Sequence, residues 1–281
     1  MKPSLDKKII VITGCSTGIG LCAALTLHKK NYHVIATVRK EADKEHLMSQ
    51  GLEDVVIMDL ASSDSITAAV ERIKVISQGK LYALFNNGAY GQPGAVEDLS
   101  RDALRKQFET NVFGTHELTI KLLPELLAQK TARIIQNSSV LGFAAMPMRG
   151  AYNASKFALE GLTDTLRLEL LNTNVRISII EPGPITSHFR MNAIKALEAN
   201  IDIDKSRFKS GYEATLIRLH KEGPASRFTL PADAVVAKVV HALESSRSKE
   251  RYYVTFPTYL FAALRHVLPT FIMDKLLSKL G

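Results

Sequence analysis

Tyr152 and Lys156 stand four residues apart in Tyr152-Asn153-Ala154-Ser155-Lys156, a run of helical period. That spacing puts a phenol and an ammonium on one face of a helix, one above the other. A free phenol, with a pKa of about 10, is too weak an acid or base to serve well near neutrality. A nearby ammonium favours the phenolate and lowers that pKa. Such a tyrosine can give a proton to a carbonyl oxygen during reduction or take one from an alcohol during oxidation, with Lys156 tuning it. Amphipathic helices produce Tyr-x-x-x-Lys by chance, so the surrounding motifs carry the weight.

The second chemical signal lies near the amino terminus. Ile9-Ile10-Val11-Ile12-Thr13-Gly14-Cys15-Ser16-Thr17-Gly18-Ile19-Gly20 reads as a buried strand, a glycine turn and the start of a helix. Glycine permits positive φ and lets backbone approach a pyrophosphate without a Cβ in the way. The helix start then offers free N–H groups and a partial positive charge to the phosphates. Gly14, Gly18 and Gly20, with Ser16, Thr17 and Ile19 between them, are therefore candidate contacts of a dinucleotide. Cofactor choice is read after the second strand, where an acid binds the adenosine ribose hydroxyls and an arginine accepts a 2′-phosphate. Val38 and Arg39 stand there, which points to NADP(H) with Arg39 as the clamp. Glu41 and Asp43 leave NAD(H) open, although both also suit the first turn of the following helix.

These groups need a frame, and the hydrophobic pattern supplies one. Apolar runs rich in Ile and Val over 9–13, 33–38, 55–58, 81–86, 133–137, 176–180 and 252–255 predict strands covered on both faces. Helical periods over 19–30, 64–77, 101–127, 152–171 and 232–244 lie between them, with N-cap signals at Ser100 and Thr229 and Pro231 suited to a first turn. The alternation predicts an α/β fold: a Rossmann-type, doubly wound parallel sheet of about seven strands in one domain spanning 1–281. Residues 187–227 break the pattern, being helical in period but polar, and predict a lid over the substrate site at the carboxyl edge of the sheet. Residues 256–281 form a proline-cut amphipathic tail. It is expected to pack over the substrate pocket or a subunit partner, the other reading being a peripheral membrane contact.

Of the 281 residues 46% are hydrophobic and 23% charged, ordinary for a soluble protein. The net charge of +8 is scattered, with no basic stripe interleaved with aromatics, so nucleic acid is not an expected partner. Two cysteines outside any CxxC pair suit a reducing compartment, and no signal peptide pattern or membrane span is present, so the protein reads as cytoplasmic. The eight histidines form no HExxH or similar set, so no metal is expected.

Together, Thr13-Gly14-x-x-x-Gly18-x-Gly20 and Tyr152-x-x-x-Lys156 resemble the short-chain dehydrogenase/reductase family, and the resemblance runs to about Val254. Tyr-Asn-Ala-Ser-Lys-Phe-Ala-Leu-Glu-Gly at 152–161 is closest to the branch of steroid and retinol dehydrogenases and bacterial aldehyde reductases. The resemblance implies that Ser139 holds the substrate oxygen beside Tyr152, Ser138 being the competing choice. It implies that Asn111 kinks its helix and orders a water behind Lys156, which itself also binds the nicotinamide ribose. Asp59 and Leu60 correspond to the pair beside the adenine. Asn86-Asn87-Gly88-Ala89 resembles the family's Asn-Asn-Ala-Gly segment with its last two residues exchanged, so that Asn87 and Gly88 approach the ribose. Pro182, Gly183 and Ile185 correspond to the turn against the nicotinamide carboxamide, and Ser187, or Thr186 if the register slips, faces the pyrophosphate. The implied activity is hydride transfer between NADP(H) and an apolar small-molecule carbonyl or alcohol by a homodimer or homotetramer. A protein that holds NADP(H) as a sensor on the same fold is the alternative, and such proteins typically lose the Tyr/Lys pair. Epimerases of the extended relatives space the glycine loop differently.

Overall fold

Seven short runs, most of them apolar and β-branched, pair into one sheet in a computed structural model that describes residues 7–224 and 226–280. They are β1 (Ile9–Ile12), β2 (His33–Val38), β3 (Asp54–Ile57), β4 (Leu81–Asn86), β5 (Ala132–Asn137), β6 (Val175–Glu181) and β7 (Arg251–Tyr253). Their order is β3-β2-β1-β4-β5-β6-β7 and every pairing is parallel, so the strand direction is common and all carboxyl ends share one edge. Parallel neighbours require crossovers, and helices supply them: α1 (Gly18–Lys29), α2 (Glu41–Ser49), α3 (Ser63–Ser77), α4 (Arg101–Phe108), α5 (Thr115–Leu127), α6 (Gly150–Glu169) and α9 (Ala232–Glu244). The period-two alternation sorts the core. Ile10 and Ile12 of β1 pack with Ala24 and Leu27 of α1 and Val236 and Val239 of α9. Ile9 and Val11 face the other way, onto Ile66 and Ile73 of α3 and Leu118 and Leu122 of α5. The predicted doubly wound sheet is thus present, with α2 an added helix that begins at Glu41.

One expectation needs correction. The single helix expected over 101–127 is two helices, α4 and α5, joined by the π-helical turn Glu109–Gly114. A π turn admits one extra residue and marks a site where side chains compete with the helical ladder. Here Asn111 is drawn inward to Tyr90, its Oδ1 accepting the Tyr90 N–H at 3.1 Å and its Nδ2 donating to the Tyr90 carbonyl at 2.9 Å. At the end of the turn Gly114 lies against the carbonyl of Leu60. A smaller correction concerns α9: Ser100 caps α4 through its hydroxyl as expected, but Pro231 occupies the cap position before α9, and the Thr229 hydroxyl accepts instead from the Ser226 N–H.

The polar insertion forms α7 (Phe189–Asn200) and α8 (Lys209–His220), joined by the 3-10 turn Ile203–Lys205. Tyr212 of α8 is fully buried; its hydroxyl donates to Asp98 Oδ2 at 2.7 Å and accepts the Ala95 N–H at 2.9 Å, which ties the insertion to the loop after β4. The tail forms α10 (Phe256–Val267) and α11 (Thr270–Leu277). Phe261, Ala262 and Met273 close over Val140, Leu141 and Phe143, the segment that follows Ser139. Residues 1–6 lie outside the described residues, as do residue 225 of the insertion and 281 of the tail.

Gly114 yields a stability test. A Cβ there would sit 1.8 Å from the Leu60 carbonyl oxygen, a backbone atom that cannot step aside. Gly114→Ala should lower unfolding stability by about 1–3 kcal/mol, read as a fall in urea midpoint at unchanged m. An unchanged midpoint would show that the turn yields without cost.

Candidate active site

A cavity of about 1110 Å³ opens at the carboxyl ends of the strands, where the order reverses between β1 and β4. Gly14, Ser16, Thr17, Gly18, Ile19, Arg39, Asp59, Leu60, Asn87 and Gly88 line one half. Ser139, Tyr152, Lys156, Pro182, Gly183, Ile185 and Ser187 line the same cavity further along the edge. Two expected site residues stand behind it. Gly20 is packed so that a Cβ would meet the Gly14 carbonyl at 2.2 Å, and Asn111 is buried beneath Tyr90.

The glycine loop is shaped by backbone. Gly14 and Gly18 have φ of +69° and +60°, in the left-handed region that favours glycine. Thr17 precedes α1 with its side chain making no cap bond, which leaves first-turn N–H groups facing the cavity. Asn87 Nδ2 donates to the carbonyls of Thr13 and Gly14, and the Thr13 hydroxyl accepts from the N–H groups of Asn87 and Gly88. After Asn87, a Cβ at position 88 would meet Leu60 Cδ1 at 2.9 Å, the movable end of a side chain, so Gly88 packs closely there. Gly183 is held as closely, since a Cβ there would meet Thr255 Oγ1 at 2.1 Å. Ser187 Cβ stands 3.1 Å from where a Cβ on Gly18 would be, whereas exposed Thr186 is engaged through its N–H to Leu230. Among the two candidates, Ser187 is the one against the loop.

Tyr152 and Lys156 share one face of α6, with Lys156 Nζ 5.7 Å from the Tyr152 ring centre. The ammonium is buried and donates to the Asn137 carbonyl at 2.7 Å. Burial pushes the Lys156 ammonium down to about 8, with Glu160 partly opposing. Burial pushes the Tyr152 phenol up to about 12, while a hydrogen bond with the Ser139 side chain pulls the other way. The two candidate serines separate cleanly. Ser139 meets Tyr152, and Ser138 donates to Glu160 Oε1 at 2.6 Å. Asn111 Nδ2 reaches the Ser155 hydroxyl at 3.1 Å as well as the Tyr90 carbonyl, so its amide braces α6 against the loop after β4. Gln107 does similar work, accepting from the Gln92 N–H and donating to the Tyr90 carbonyl.

Sequence reasoning missed the group beneath the site. Arg251 of β7 binds Glu160 Oε2 at 2.7 Å, Glu181 Oε1 at 2.5 Å and Asp164 Oδ2 at 2.6 Å. Glu160 links it to Ser138, and Glu181 precedes the Pro182-Gly183 turn. The available signal was Glu160 one turn beyond Lys156 on an otherwise buried helical face. Phe189 was missed too; its ring meets Tyr152 edge-on at 5.4 Å.

The family model described as short chain dehydrogenase matches residues 8–198. The chain belongs to the short-chain dehydrogenase/reductase family. It is an oxidoreductase of that family, 41% identical to the Escherichia coli K12 protein named uncharacterized oxidoreductase YbbO over 97% of this chain and 94% of that one. It is 32% identical to the NADPH-dependent 3-dehydrocapnine reductase of Ornithobacterium rhinotracheale, over 96% and 95% of the two chains. A short-chain dehydrogenase/reductase from Burkholderia phymatum, solved in complex with NAD, superposes with a TM-score of 0.77 at 26% identity, covering 95% of this chain and 94% of that one. Family membership accounts for the fold, the nucleotide cavity and the Tyr/Lys pair together.

The ionic group predicts a pH effect. Three carboxylates face one guanidinium, and burial with Glu160's charge pushes the Glu181 carboxyl from 4.5 to about 8. Glu181 Oε2 is buried with no partner, consistent with a neutral acid. A carboxyl raised on folding holds its proton in the native state after the unfolded chain has lost it, so stability falls as pH rises from about 4.5 to about 8. Glu181→Gln is neutral throughout. It should gain about 1–2 kcal/mol over wild type near pH 9 and nothing near pH 5 in denaturant titrations; parallel curves would refute the assignment.

Proposed function

We propose that this chain is an NADP(H)-dependent carbonyl reductase or alcohol dehydrogenase in which Tyr152 is the general acid/base. The reading rests on one arrangement: Tyr152, hydrogen-bonded to Ser139 and stacked over buried Lys156, opens into the cavity whose far end is the glycine loop and Arg39.

The residues present fit a dinucleotide. The left-handed Gly14 and Gly18, with Ser16, Thr17, Ile19 and Ser187, would hold the pyrophosphate, and Gly20 lets α1 close on the loop. Asp59 and Leu60 would flank the adenine, Asn87 and Gly88 the ribose, and Pro182, Gly183 and Ile185 the carboxamide. Arg39 is exposed at the end of β2 beside the cavity and would take the 2′-phosphate. The nearby acids serve α2: Glu41 and Asp43 lie in its first turn, and Glu41 binds Lys44 at 2.7 Å. The NADPH dependence of the dehydrocapnine reductase agrees, although the Burkholderia relative was solved with NAD. When bound, the nicotinamide supplies or accepts the hydride.

The chain's own residues handle the proton. Burial keeps the Tyr152 phenol protonated, as a donor to a carbonyl oxygen must be. Ser139, bonded to Tyr152, sits where it can hold that oxygen beside the phenol. Lys156 stays largely charged at neutral pH, because its lowered value of about 8 still lies above 7. Its charge then eases removal of the phenol's proton in the oxidative direction. Asn111, whose amide bonds Ser155 and Tyr90, would order a water behind Lys156. The insertion serves as a lid, since Phe189 of α7 covers Tyr152, and Phe256, Leu260 and Phe261 of the tail add an apolar wall. Exposed Phe113, Phe157, Leu162 and Leu168 on and before α5 and α6 offer an apolar face for a homo-oligomer. Among the described residues no helix is long and apolar enough to cross a membrane, which fits the cytoplasmic assignment proposed here.

An NADPH oxidation assay against an aldehyde and ketone panel tests the reading as a whole. Tyr152→Phe removes one hydroxyl and no packing volume, so kcat should fall about 10²–10⁴-fold while NADPH binding stays near wild type. Near-normal turnover would remove Tyr152 from its role. Arg39→Asp should shift the ratio of kcat/KM values toward NADH by about tenfold or more, because an acid replaces the phosphate clamp. An unchanged ratio would mean that another group reads the 2′ position.

A further inference from the structure

The substrate half of the cavity is lined by cations and by no acid. Arg149 stands just before α6, Arg190 in the first turn of α7 and Arg218 in the last turn of α8, and all three line the cavity. Among its described lining residues the one carboxylate is Asp59, at the adenine end, where Oδ1 accepts the Ala61 N–H. The guanidiniums feel one another: burial, then the charge of Arg218, pushes Arg149 down to about 10, and burial, then the charge of Arg190, pushes Arg218 down. Arg190 is held by the carbonyls of Lys221 and Gly223, which absorb hydrogen bonds but not its charge. Arg218 Nε is buried and has no hydrogen-bond partner.

Guanidinium stays charged at any physiological pH, so gathering three in a half-buried wall carries a repulsive and desolvation cost. An oxyanion in their midst removes both terms at once, through charge-assisted bonds to planar donors. The position is close to the reacting group. Arg149 lies three residues before Tyr152, and Arg190 follows Phe189, whose ring rests on Tyr152. Met146 and Leu219 beside them, with Leu260 and Phe261 of the tail, make the adjoining wall apolar.

We infer that the Arg149, Arg190 and Arg218 cluster binds an oxyanion headgroup of the substrate, a carbonyl compound with a sulfonate, phosphate or carboxylate near the reacting carbon and an apolar chain beyond it. This rests on the carbonyl-reduction reading above and names the substrate class for the same site.

The test uses the full chain with NADPH and four dodecyl-chain ketones: the β-ketosulfonate, the β-ketophosphonate, the γ-ketocarboxylate and the neutral dimethyl ester of the phosphonate. At least one anion should exceed the ester in kcat/KM by about tenfold or more, and the preferred anion identifies the headgroup. Arg218→Gln should collapse that preference toward unity and Arg218→Lys should keep part of it. Equal kcat/KM for anions and ester in wild type would overturn the headgroup site while leaving the oxidoreductase intact. An increase in the KM for NADPH in Arg218→Gln matching that for the anion would also overturn it, because the cluster would then serve the cofactor's phosphates. Calorimetry with octylphosphonate, which has no carbonyl to reduce, reads the site even if nothing turns over. Saturable binding to the NADPH-loaded protein, weakened about tenfold or more in Arg218→Gln and absent for octanol, supports the site; no binding overturns it.

Discussion

The loops after β1 and β4 meet backbone to backbone, and the rest of the site is arranged around that contact. A Cβ on Gly14 would lie 2.7 Å from Gly88 Cα, and one on Gly20 would lie 2.6 Å from Asn87 Nδ2. With no side chains between them, Asn87 can bond the carbonyls of Thr13 and Gly14 while Thr13 bonds the N–H groups of Asn87 and Gly88. Asn87 in turn accepts from Asn137 Nδ2 at 3.0 Å, and the Asn137 carbonyl receives Lys156. One chain of hydrogen bonds therefore runs from the glycine loop to the ammonium beneath Tyr152. Because all but one of these bonds tie a side chain to main chain, the strand-end loops hold the crevice in shape, and a displaced loop at either end moves the other.

A second network supports the same residues from below. Ser138 hangs on Glu160, Glu160 and Glu181 on Arg251, and Arg251 comes from β7, far along the chain. Gly142 is confined by it, since a Cβ there would meet Glu160 Oε1 at 2.0 Å. The network joins the ends of β5 and β6 and the start of β7 to α6, the helix that carries Tyr152 and Lys156. It also sets local charge: Glu160 raises the Lys156 ammonium against the pull of burial, which keeps a cation near the phenol in a site dry enough to neutralise it.

What could be read along the chain was whatever depends on neighbours in sequence. Short apolar runs, most of them rich in Ile and Val, specify strands, and all seven were visible that way, as were Tyr152 and Lys156 one turn apart and the glycines of the first turn. The π turn was visible only as the kink that the family resemblance puts at Asn111; the group that draws Asn111 inward is the Tyr90 backbone, brought in by β4. The resemblance already favoured Ser139 over Ser138, but the physical difference needs three dimensions: Tyr152 lies opposite one hydroxyl and Glu160 opposite the other. Arg251 carries no motif at all. Its three acids lie 91, 87 and 70 residues away in the chain, and only the sheet order gathers them.

The same division separates chemistry from substrate. The groups proposed to handle proton and cofactor sit on the ends of central strands and on α6, elements that the doubly wound topology places in one position whatever the rest of the chain does. The walls beyond Tyr152 come from α7, α8 and the tail, whose composition is free to vary without disturbing the sheet. Phe189 illustrates the coupling between the halves. It is the first residue of α7, it stands two residues beyond Ser187 at the glycine loop, and its ring touches Tyr152, so one short segment contacts the cofactor cradle, the phenol and, through Arg190, the cationic wall. The start of α7 therefore links the glycine loop and the Tyr152 phenol directly.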